Sequence, residues 1–410
     1  MTHRSRSFAP KKKLGKPASQ KGKPKKLHHP PARNASAAKA ESDGEESDDD
    51  QSDAGADAAE AVVIDPTPPA AAFTSSPSDE EILDVIRAAL GTALTSPSFT
   101  ADVQTAKGLL YDKKWLELFT NPALLDAYAG RWVPSRALCF RDLMAGIKDV
   151  RGLFVGEGEE GEEEEGEEEE DDEKEEEGGN QAADAPATDA STATPTHILS
   201  IGGGAGSELL AVAALAHSAQ LLGRGAPISW TSLDIGDWGG VLTRLGNAAR
   251  SEWELPGSIN FKYIKDDVLD ASSTSITSLP APSLTTIFFT LTELLAQSRP
   301  RTAALLRSIT ARTPPGGLLL VADSASDIAE FALGKDGRTW PVYMVLDALL
   351  LRADPGAWER VRADDSKWWR LADGVGADWP CKLENARYWM RLYRRKAAAE
   401  APEAKVAAEE

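Results

Sequence analysis

The sequence predicts an α/β fold, with a mostly parallel sheet and an antiparallel closing strand, preceded by a helical region. Short runs of apolar, β-branched residues alternate with longer stretches rich in alanine and leucine, the pattern of βαβ units. A glycine-rich turn follows the first of these runs. Near the end of the chain, aromatic and basic residues alternate, which predicts the closing strand.

Five parallel strands and two long helices can be placed in order along the second half of the chain. The predicted strands are Ile198–Ile201, Ile228–Leu233, Ile259–Ile264, Thr285–Phe289 and Leu318–Ala322, and the helices are Leu209–Leu222 and Arg301–Ala311. The closing strand is expected at Arg387–Arg394, paired with a strand near Trp368–Leu371.

The helical region begins with a recognisable cap. Ser78 followed by Glu81 is a capping-box pattern, and the apolar residues after it recur at helical spacing until Gly91, where the helix is expected to end. Three further short helices are predicted between residues 103 and 128, and Pro134 predicts a break after them.

Three segments have compositions that cannot build a core. Residues 1–40 contain twelve Lys or Arg and no acid, residues 41–60 contain ten acids and no base, and residues 157–177 contain seventeen acids against one lysine. Like charges at this density repel each other. The expected organisation is a disordered basic-then-acidic tail (1–77), a helical region (78–155), a disordered acidic insert (156–196), an α/β domain (197–396) and a disordered tail (397–410).

The acidic balance of the chain comes from these segments. The formal net charge is −20, but the sequence outside them carries only −6. The balance therefore does not exclude a nucleic-acid partner for the folded part, and the basic tail can meet phosphate groups. That tail also resembles a nuclear or nucleolar address, so we expect the protein in the nucleus or nucleolus, with the cytoplasm as the alternative.

Cysteine usage and hydropathy exclude several classes of protein. Cys139 and Cys381 lie far apart, without the spacing of metal ligands, so neither a disulfide framework nor a metal site is expected. No run of eighteen apolar residues is present, so no membrane association is expected.

The glycine-rich turn predicts a nucleotide site. Gly202, Gly204 and Gly206 follow the first strand and precede a helix, where glycines let the backbone approach a ligand closely and the helix offers free N–H groups. A dinucleotide fingerprint would need glycine at position 207, where Ser207 stands. The GxGxG spacing is instead typical of methyltransferases.

Acids follow the next two strands, where a nucleoside needs them. Asp234 ends the second strand and can accept hydrogen bonds from both ribose hydroxyls. Asp267, or its neighbour Asp266, follows the third strand and can accept from an adenine amino group. S-adenosyl-L-methionine is the favoured cofactor. Many methyltransferases carry an acid two residues before the first glycine, but here that residue is Ser200, so the cofactor's amino group needs another partner.

Several segments resemble a known family. His197-Ile-Leu-Ser-Ile-Gly-Gly-Gly-Ala-Gly-Ser-Glu208, the region of Phe288-Phe-Thr-Leu-Thr-Glu-Leu, Lys107-Gly-Leu-Leu-Tyr111 and Ala127-Tyr-Ala-Gly-Arg-Trp-Val-Pro-Ser-Arg136 are similar to the fungal large-subunit (25S) rRNA uridine-N3 methyltransferases. The resemblance implies a Rossmann-like class I methyltransferase fold, S-adenosylmethionine as cofactor and ribosomal RNA or a pre-ribosome as partner. It implies no particular catalytic base.

The chemistry expected from the residues agrees with this resemblance. Methylation at carbon 5 of a pyrimidine needs a cysteine nucleophile, and Cys381 lies past the fifth strand. Methylation of an adenine amino group usually uses an Asn/Asp-Pro-Pro-aromatic turn, and Thr290-Leu-Thr-Glu293 stands at that place. Methylation of the uridine imide nitrogen needs only alignment and removal of a weakly acidic proton.

Candidate residues for this chemistry lie at strand ends. Glu293 and Asp323 are the candidate catalytic residues, as the base or as groups that orient the uracil, each with a helix cap or strand-end solvation as the structural alternative. Thr292 can hydrogen-bond a uracil carbonyl. Arg131, Trp132 and Arg136 form a candidate RNA-binding patch, with structural ion pairing as the alternative.

Two other classes of function stay open from the sequence. One is a methyltransferase that acts on a protein or a small molecule, for which the basic tail would be dispensable. The other is a non-enzymatic ribosome-assembly factor that keeps the fold but not the turnover, against which the intact glycines and Asp234 argue.

Overall fold

A seven-stranded sheet lies at the centre of the computed structural model, which describes residues 68–156, 195–325, 330–333 and 338–397. The strands of this sheet are β1 (Thr196–Ile201), β2 (Ile228–Asp234), β3 (Ile259–Lys265), β4 (Leu284–Phe288), β5 (Leu318–Ser324), β8 (Trp358–Trp369) and β9 (Ala386–Arg395). The basic segment, residues 41–60, the acidic insert from residue 157 to 194 and the tail from residue 398 lie outside the described residues.

The strand order is β3-β2-β1-β4-β5-β9-β8. The first five strands are parallel, β9 runs antiparallel to β5, and β8 runs antiparallel to β9. This arrangement confirms the predicted α/β fold with an antiparallel closing strand. The order reverses between β1 and β4, and in open parallel sheets such a switch point opens a crevice at the carboxyl ends of the strands.

Eleven helices accompany the strands in the described part of the chain. They are α1 (Ala70–Thr74), α2 (Asp79–Leu94), α3 (Phe99–Tyr111), α4 (Trp115–Phe119), α5 (Pro122–Ala145), α6 (Lys148–Gly152), α7 (Ser207–Leu221), α8 (Gly239–Glu252), α9 (Ser275–Ser278), α10 (Leu291–Arg312) and α11 (Val342–Asp347). A π-helical turn, Ala348–Arg352, continues α11, and a small antiparallel hairpin of β6 (Glu330–Leu333) and β7 (Arg338–Pro341) precedes it.

The helical region covers one face of the sheet. Helices α2 and α5 pack against α8 and α7, and their apolar faces join one core with the side chains of β1, β2 and β4. Helices α10 and α11 cover the opposite face with a second core. The helices before the acidic insert therefore belong to the same folded unit as the sheet.

The beginning of the folded part differs from the expected boundary. Helix α1 lies within the segment expected to be a disordered tail, and its Phe73 is fully buried. The capping box at Ser78 and Glu81 is confirmed, but α2 continues past Gly91 to Leu94. Burial of Leu94 against the core outweighs the roughly 1 kcal/mol by which a helical glycine is less favourable than alanine.

The predicted break at Pro134 is wrong, because α5 runs through it without interruption. A proline lacks the N–H that would bond the carbonyl four residues earlier, here that of Gly130. The indole Nε1 of Trp379 donates to this carbonyl at 3.0 Å and replaces the missing bond. Most of α5 is buried, so tertiary packing stabilises the helix against the local preference of proline.

Candidate functional site

A pocket of about 200 Å³ opens at the carboxyl ends of β1, β2 and β4. Glycine-loop residues, strand-end acids and aromatic side chains from α4 and α5 line the pocket, among them Trp115, Phe119, Tyr128, Arg136, Phe140, Gly202, Gly203, Gly206, Glu208, Asp234, Trp238, Asp266, Asp267, Phe289, Thr290 and Glu293.

The glycine loop has a backbone conformation and close contacts that larger residues at the three glycine positions would not allow. Gly202 and Gly206 have φ of +78° and +97°, a backbone region that residues with a Cβ rarely adopt. A Cβ on Gly204 would lie 2.1 Å from the Trp238 ring and 2.5 Å from the Asp234 carboxylate. The three predicted glycines therefore keep the loop close to Asp234, and the space beside them suits a ligand that the backbone approaches closely.

Asp234 is fixed beside this loop by three donors. Its Oδ2 accepts from the Gly204 N–H at 3.1 Å, and its Oδ1 accepts from the Gly236 N–H at 2.8 Å and from Trp238 Nε1 at 3.1 Å. Burial raises the pKa of the carboxyl, while these donors act in the opposite direction. The side chain is preoriented at the end of β2, where a ribose would lie.

Asp266 and Asp267 both line the pocket just beyond β3. The Asp266 N–H donates to the Asp234 backbone carbonyl at 2.9 Å, which joins the two strand ends. Asp266 accepts a hydrogen bond from the Ser273 hydroxyl, and Asp267 Oδ1 accepts from the Leu269 N–H at 2.9 Å. The two acids that the sequence left as alternatives therefore both face the same end of the pocket.

Glu208 is a pocket residue that the sequence reasoning missed. It lies in the first turn of α7, and its side chain is only 3% exposed. Ser200 Oγ donates to Glu208 Oε2 at 2.6 Å. The Glu208 carboxylate therefore lies next to position 200, where many methyltransferases carry an acid two residues before the first glycine. Burial raises the pKa of Glu208 to about 7, although hydrogen bonds with the hydroxyls of Ser200 and Thr286 act to lower it. The signal in the sequence was the unusual Ser200, followed by an acid in the first turn of α7.

The two candidate bases have different environments. Glu293 lines the pocket in the first turn of α10, and burial, followed by the charge of Asp323, raises its pKa to about 8. Asp323 does not line the pocket: it accepts from the Thr292 N–H at 2.8 Å and from the Ser324 N–H at 2.7 Å. Asp323 therefore stabilises the start of α10, and the Thr292 backbone N–H is occupied by this hydrogen bond.

Aromatic side chains line the same pocket as Glu293. Phe289 has a φ of 53°, unusual for a bulky residue, and this turn at the end of β4 places its ring 5.6 Å from that of Phe140. The Arg136 guanidinium lies 5.2 Å from the Phe289 ring centre and donates to the Tyr128 hydroxyl at 2.9 Å. Tyr128, Phe140 and Phe289, the aromatic slot, therefore line the same pocket as the Arg136 guanidinium and the Glu293 carboxyl.

The other members of the predicted RNA-binding patch lie elsewhere. Arg131 is 3% exposed and forms an ion pair with Glu384, and Trp132 stacks on Tyr128 with ring centres 4.5 Å apart. Neither residue lines the pocket. The members of the predicted patch therefore lie on different faces of α5: Arg136 lines the pocket, and Arg131 packs against Glu384.

The thiols, metal ligands and membrane spans give no further site within the described ranges. Cys139 is buried, and Cys381 is half-buried outside the pocket, with its pKa raised by burial. In the same residues, no group of three or more His, Cys, Asp or Glu side chains is arranged to hold a metal ion. No helix among them is long and apolar enough to cross a bilayer.

Comparisons with known proteins identify the family. Residues 86–394 match the model of a family described as "SAM-dependent methyltransferase", that is, dependent on S-adenosylmethionine. The chain is 24% identical over 320 residues to the 25S rRNA (uridine(2843)-N(3))-methyltransferase of Saccharomyces cerevisiae, covering 72% of this chain and 77% of that protein. This similarity confirms the resemblance found in the sequence.

Solved methyltransferase structures also align with the chain. An O-methyltransferase family protein from Burkholderia thailandensis aligns at 11% identity and a TM-score of 0.39, over 74% of each chain. The N-methyltransferase NodS from Bradyrhizobium japonicum WM9 aligns at 13% identity and a TM-score of 0.29, over 49% of this chain and 79% of its own. Since the family model spans most of the chain, this protein belongs to the S-adenosylmethionine-dependent methyltransferases.

Proposed function

We propose that the protein methylates N3 of a uridine in large-subunit ribosomal RNA. The observation that carries this proposal is the Glu293 carboxyl, which faces the aromatic slot inside the cofactor pocket and has its pKa raised to about 8. The similarity to a yeast uridine-N3 methyltransferase supports the same substrate. A pre-ribosome in the nucleus or nucleolus is the proposed setting, which the Lys-rich segment before residue 40 supports.

The order of the strands gives the cofactor one direction across the pocket. Asp266 and Asp267 after β3 would hold the adenine and Asp234 after β2 would hold the ribose, which would leave the methionine end to the glycine loop on the side of β4. Glu208 lies there, and its carboxylate can accept from the cofactor's ammonium group. The sulfonium supplies an electrophilic methyl group, and the residues of the chain orient the acceptor and remove its proton.

Glu293 and the slot can perform the remaining chemistry. A flipped-out uracil fits flat against Phe289, with the Arg136 guanidinium available to a carbonyl oxygen that gains negative charge. Glu293 would take the N3 proton, which would leave the nitrogen with the electron pair that the methyl group of a bound cofactor accepts. Alignment and one proton transfer are sufficient, so no covalent enzyme intermediate is needed.

Glu208→Gln is expected to weaken binding of S-adenosylhomocysteine by about 1.5–3 kcal/mol, the scale of a hydrogen bond to a charged group. Because only the ionised carboxylate pairs with the ammonium, wild-type affinity should rise with pH through about 7, and the variant should lack this rise. Calorimetry measures both. An analogue without the amino group should bind the two proteins equally, and an equal loss for both ligands would show that Glu208 only supports the loop.

The product identifies the reaction. Purified protein incubated with labelled S-adenosylmethionine and unmodified large-subunit rRNA should place the label in N3-methyluridine after digestion to nucleosides. A short perfect duplex should be a poor substrate, since the methylated nitrogen lies on the Watson–Crick edge. Label only in 5-methyluridine would refute the chemistry, and label in a protein fraction of the pre-ribosome would refute the substrate.

A further inference from the structure

An exposed tryptophan lies near the end of β8, just before the connection to β9. Trp368 lies near the end of β8, the edge strand of the sheet, and is 52% exposed. Its neighbour Trp369 is buried, and Trp369 Nε1 donates to Asp142 Oδ2 at 2.7 Å. Because successive strand residues point to opposite faces, this anchor keeps the Trp368 ring directed outwards.

Two guanidinium groups flank the Trp368 ring. The Arg370 guanidinium carbon lies 5.5 Å from the ring centre, and that of Arg387, which is opposite Trp368 in the strand register, lies 5.8 Å away. Arg387 Nε donates to Ser366 Oγ at 2.8 Å, which leaves the rest of its fork available. Neither arginine forms an ion pair with the acids that the structure describes.

The strand register places this cluster on the same edge of the sheet as the pocket. Ser324, at the carboxyl end of β5, pairs with Tyr388, which directly follows Arg387. Neighbouring strands lie about 4.8 Å apart, so β8 is about 14 Å from β4, the strand that precedes α10 and Glu293. About four stacked nucleotides, at roughly 3.4 Å each, span such a distance.

We infer that Trp368, Arg370 and Arg387, the aromatic–basic patch, bind an unpaired nucleotide of the RNA substrate close to the methylated uridine. The base stacks on the indole or a guanidinium plane, and the arginines meet the phosphates beside it. Charged side chains alone would protect an edge strand from pairing, but an exposed tryptophan does not serve that purpose. The inference rests on the proposed function and extends it from the reacting base to the strand that carries it.

The test measures RNA binding separately from methyl transfer. The probe is a fluorescent RNA hairpin with a uridine-containing single-stranded loop, bound in the presence of S-adenosylhomocysteine and followed by anisotropy over a range of salt concentrations. Trp368→Ala should weaken binding by about tenfold or more, and Trp368→Tyr should restore most of the affinity. Arg370→Gln with Arg387→Gln should reduce the slope of log Kd against log salt by up to about 1.4.

The controls separate the patch from stability, cofactor binding and the proposed reaction. Arg307→Gln removes an exposed arginine of α10 near the opposite edge of the sheet and should change neither affinity nor slope. Affinity for S-adenosylhomocysteine should be the same in all variants.

Wild-type RNA affinity and salt slope in the double arginine variant would overturn the proposed role of the patch, even if N3-methyluridine is formed. Weakened RNA binding with another methylated nucleoside as product would keep the patch and refute the proposed function. Loss of a protein substrate alone, with RNA binding intact, would assign the surface to a protein and overturn the inference.

Discussion

Glu293→Gln is expected to slow methyl transfer by about 10²–10⁴-fold, the usual contribution of a general base. The amide keeps the shape of the side chain but cannot take the N3 proton. In the wild-type enzyme the single-turnover rate should rise with pH through about 8, because burial raises the pKa of Glu293 to about 8 and only the ionised form accepts a proton. The variant should lose this step of the pH profile, and binding of S-adenosylhomocysteine should stay near wild type.

Thermal stability provides a second measurement that a damaged fold would fail. A carboxyl whose pKa is raised by folding binds its proton more tightly in the native state, so its contribution to stability falls as pH rises from the unfolded pKa towards 8. Glu293→Gln removes that cost, and its Tm at pH 8 should equal or exceed that of the wild type. Asp323→Asn is the comparison: it weakens the support of the Thr292 and Ser324 N–H groups, so Tm should fall. The pH step should remain but move to lower pH, because the charge of Asp323 helps to raise the pKa of Glu293. A Glu293→Gln enzyme with wild-type rates would remove this residue from the mechanism.

Asp234→Ala is expected to weaken binding of S-adenosylhomocysteine by about 1.5–3 kcal/mol, or roughly 10- to 150-fold. The substitution removes the acceptor proposed for the ribose hydroxyls and also releases the Gly204 N–H, which Asp234 holds at 3.1 Å. Calorimetry gives the affinity. Asp237→Ala is a matched control, because Asp237 is an exposed acid three residues away whose contact is Lys265 at 3.7 Å. Equal affinities of the Asp234 and Asp237 variants would place the ribose elsewhere.

The positions of the glycine loop and of the strand-end acids could be predicted because their signals are local. Gly202, Gly204 and Gly206 specify the turn through their own backbone freedom, and the alternation of strand and helix specifies which strand each acid follows. Parallel strands end at one edge of the sheet, so Asp234 and Asp267 had to be neighbours once the order β3-β2-β1 was formed. Glu208 was missed because its role depends on the packing of its side chain against Ser200, not on its place in a motif.

Residues of one type were separated only by their surroundings. Arg131 and Arg136 are five residues apart on α5, and five residues turn a helix by about 140°, so one faces Glu384 and the other faces the pocket. Glu293 and Asp323 are both strand-end acids in the sequence. The structure gives Asp323 two backbone N–H partners and leaves Glu293 in the aromatic slot with a raised pKa.

The sequence by itself determined the five parallel strands, the closing strand and the positions of the glycine loop and the acids beside it, because each depends on residues that are close together in the chain. The tertiary structure decided what depends on distant partners. Pro134 stays helical because Trp379, far along the chain, donates to the Gly130 carbonyl, and Trp368 stays exposed because Trp369 is bonded to Asp142 on α5. Burial and hydrogen bonds across such sequence separations have no local pattern, so only the folded chain distinguishes a packing residue from one that faces a ligand.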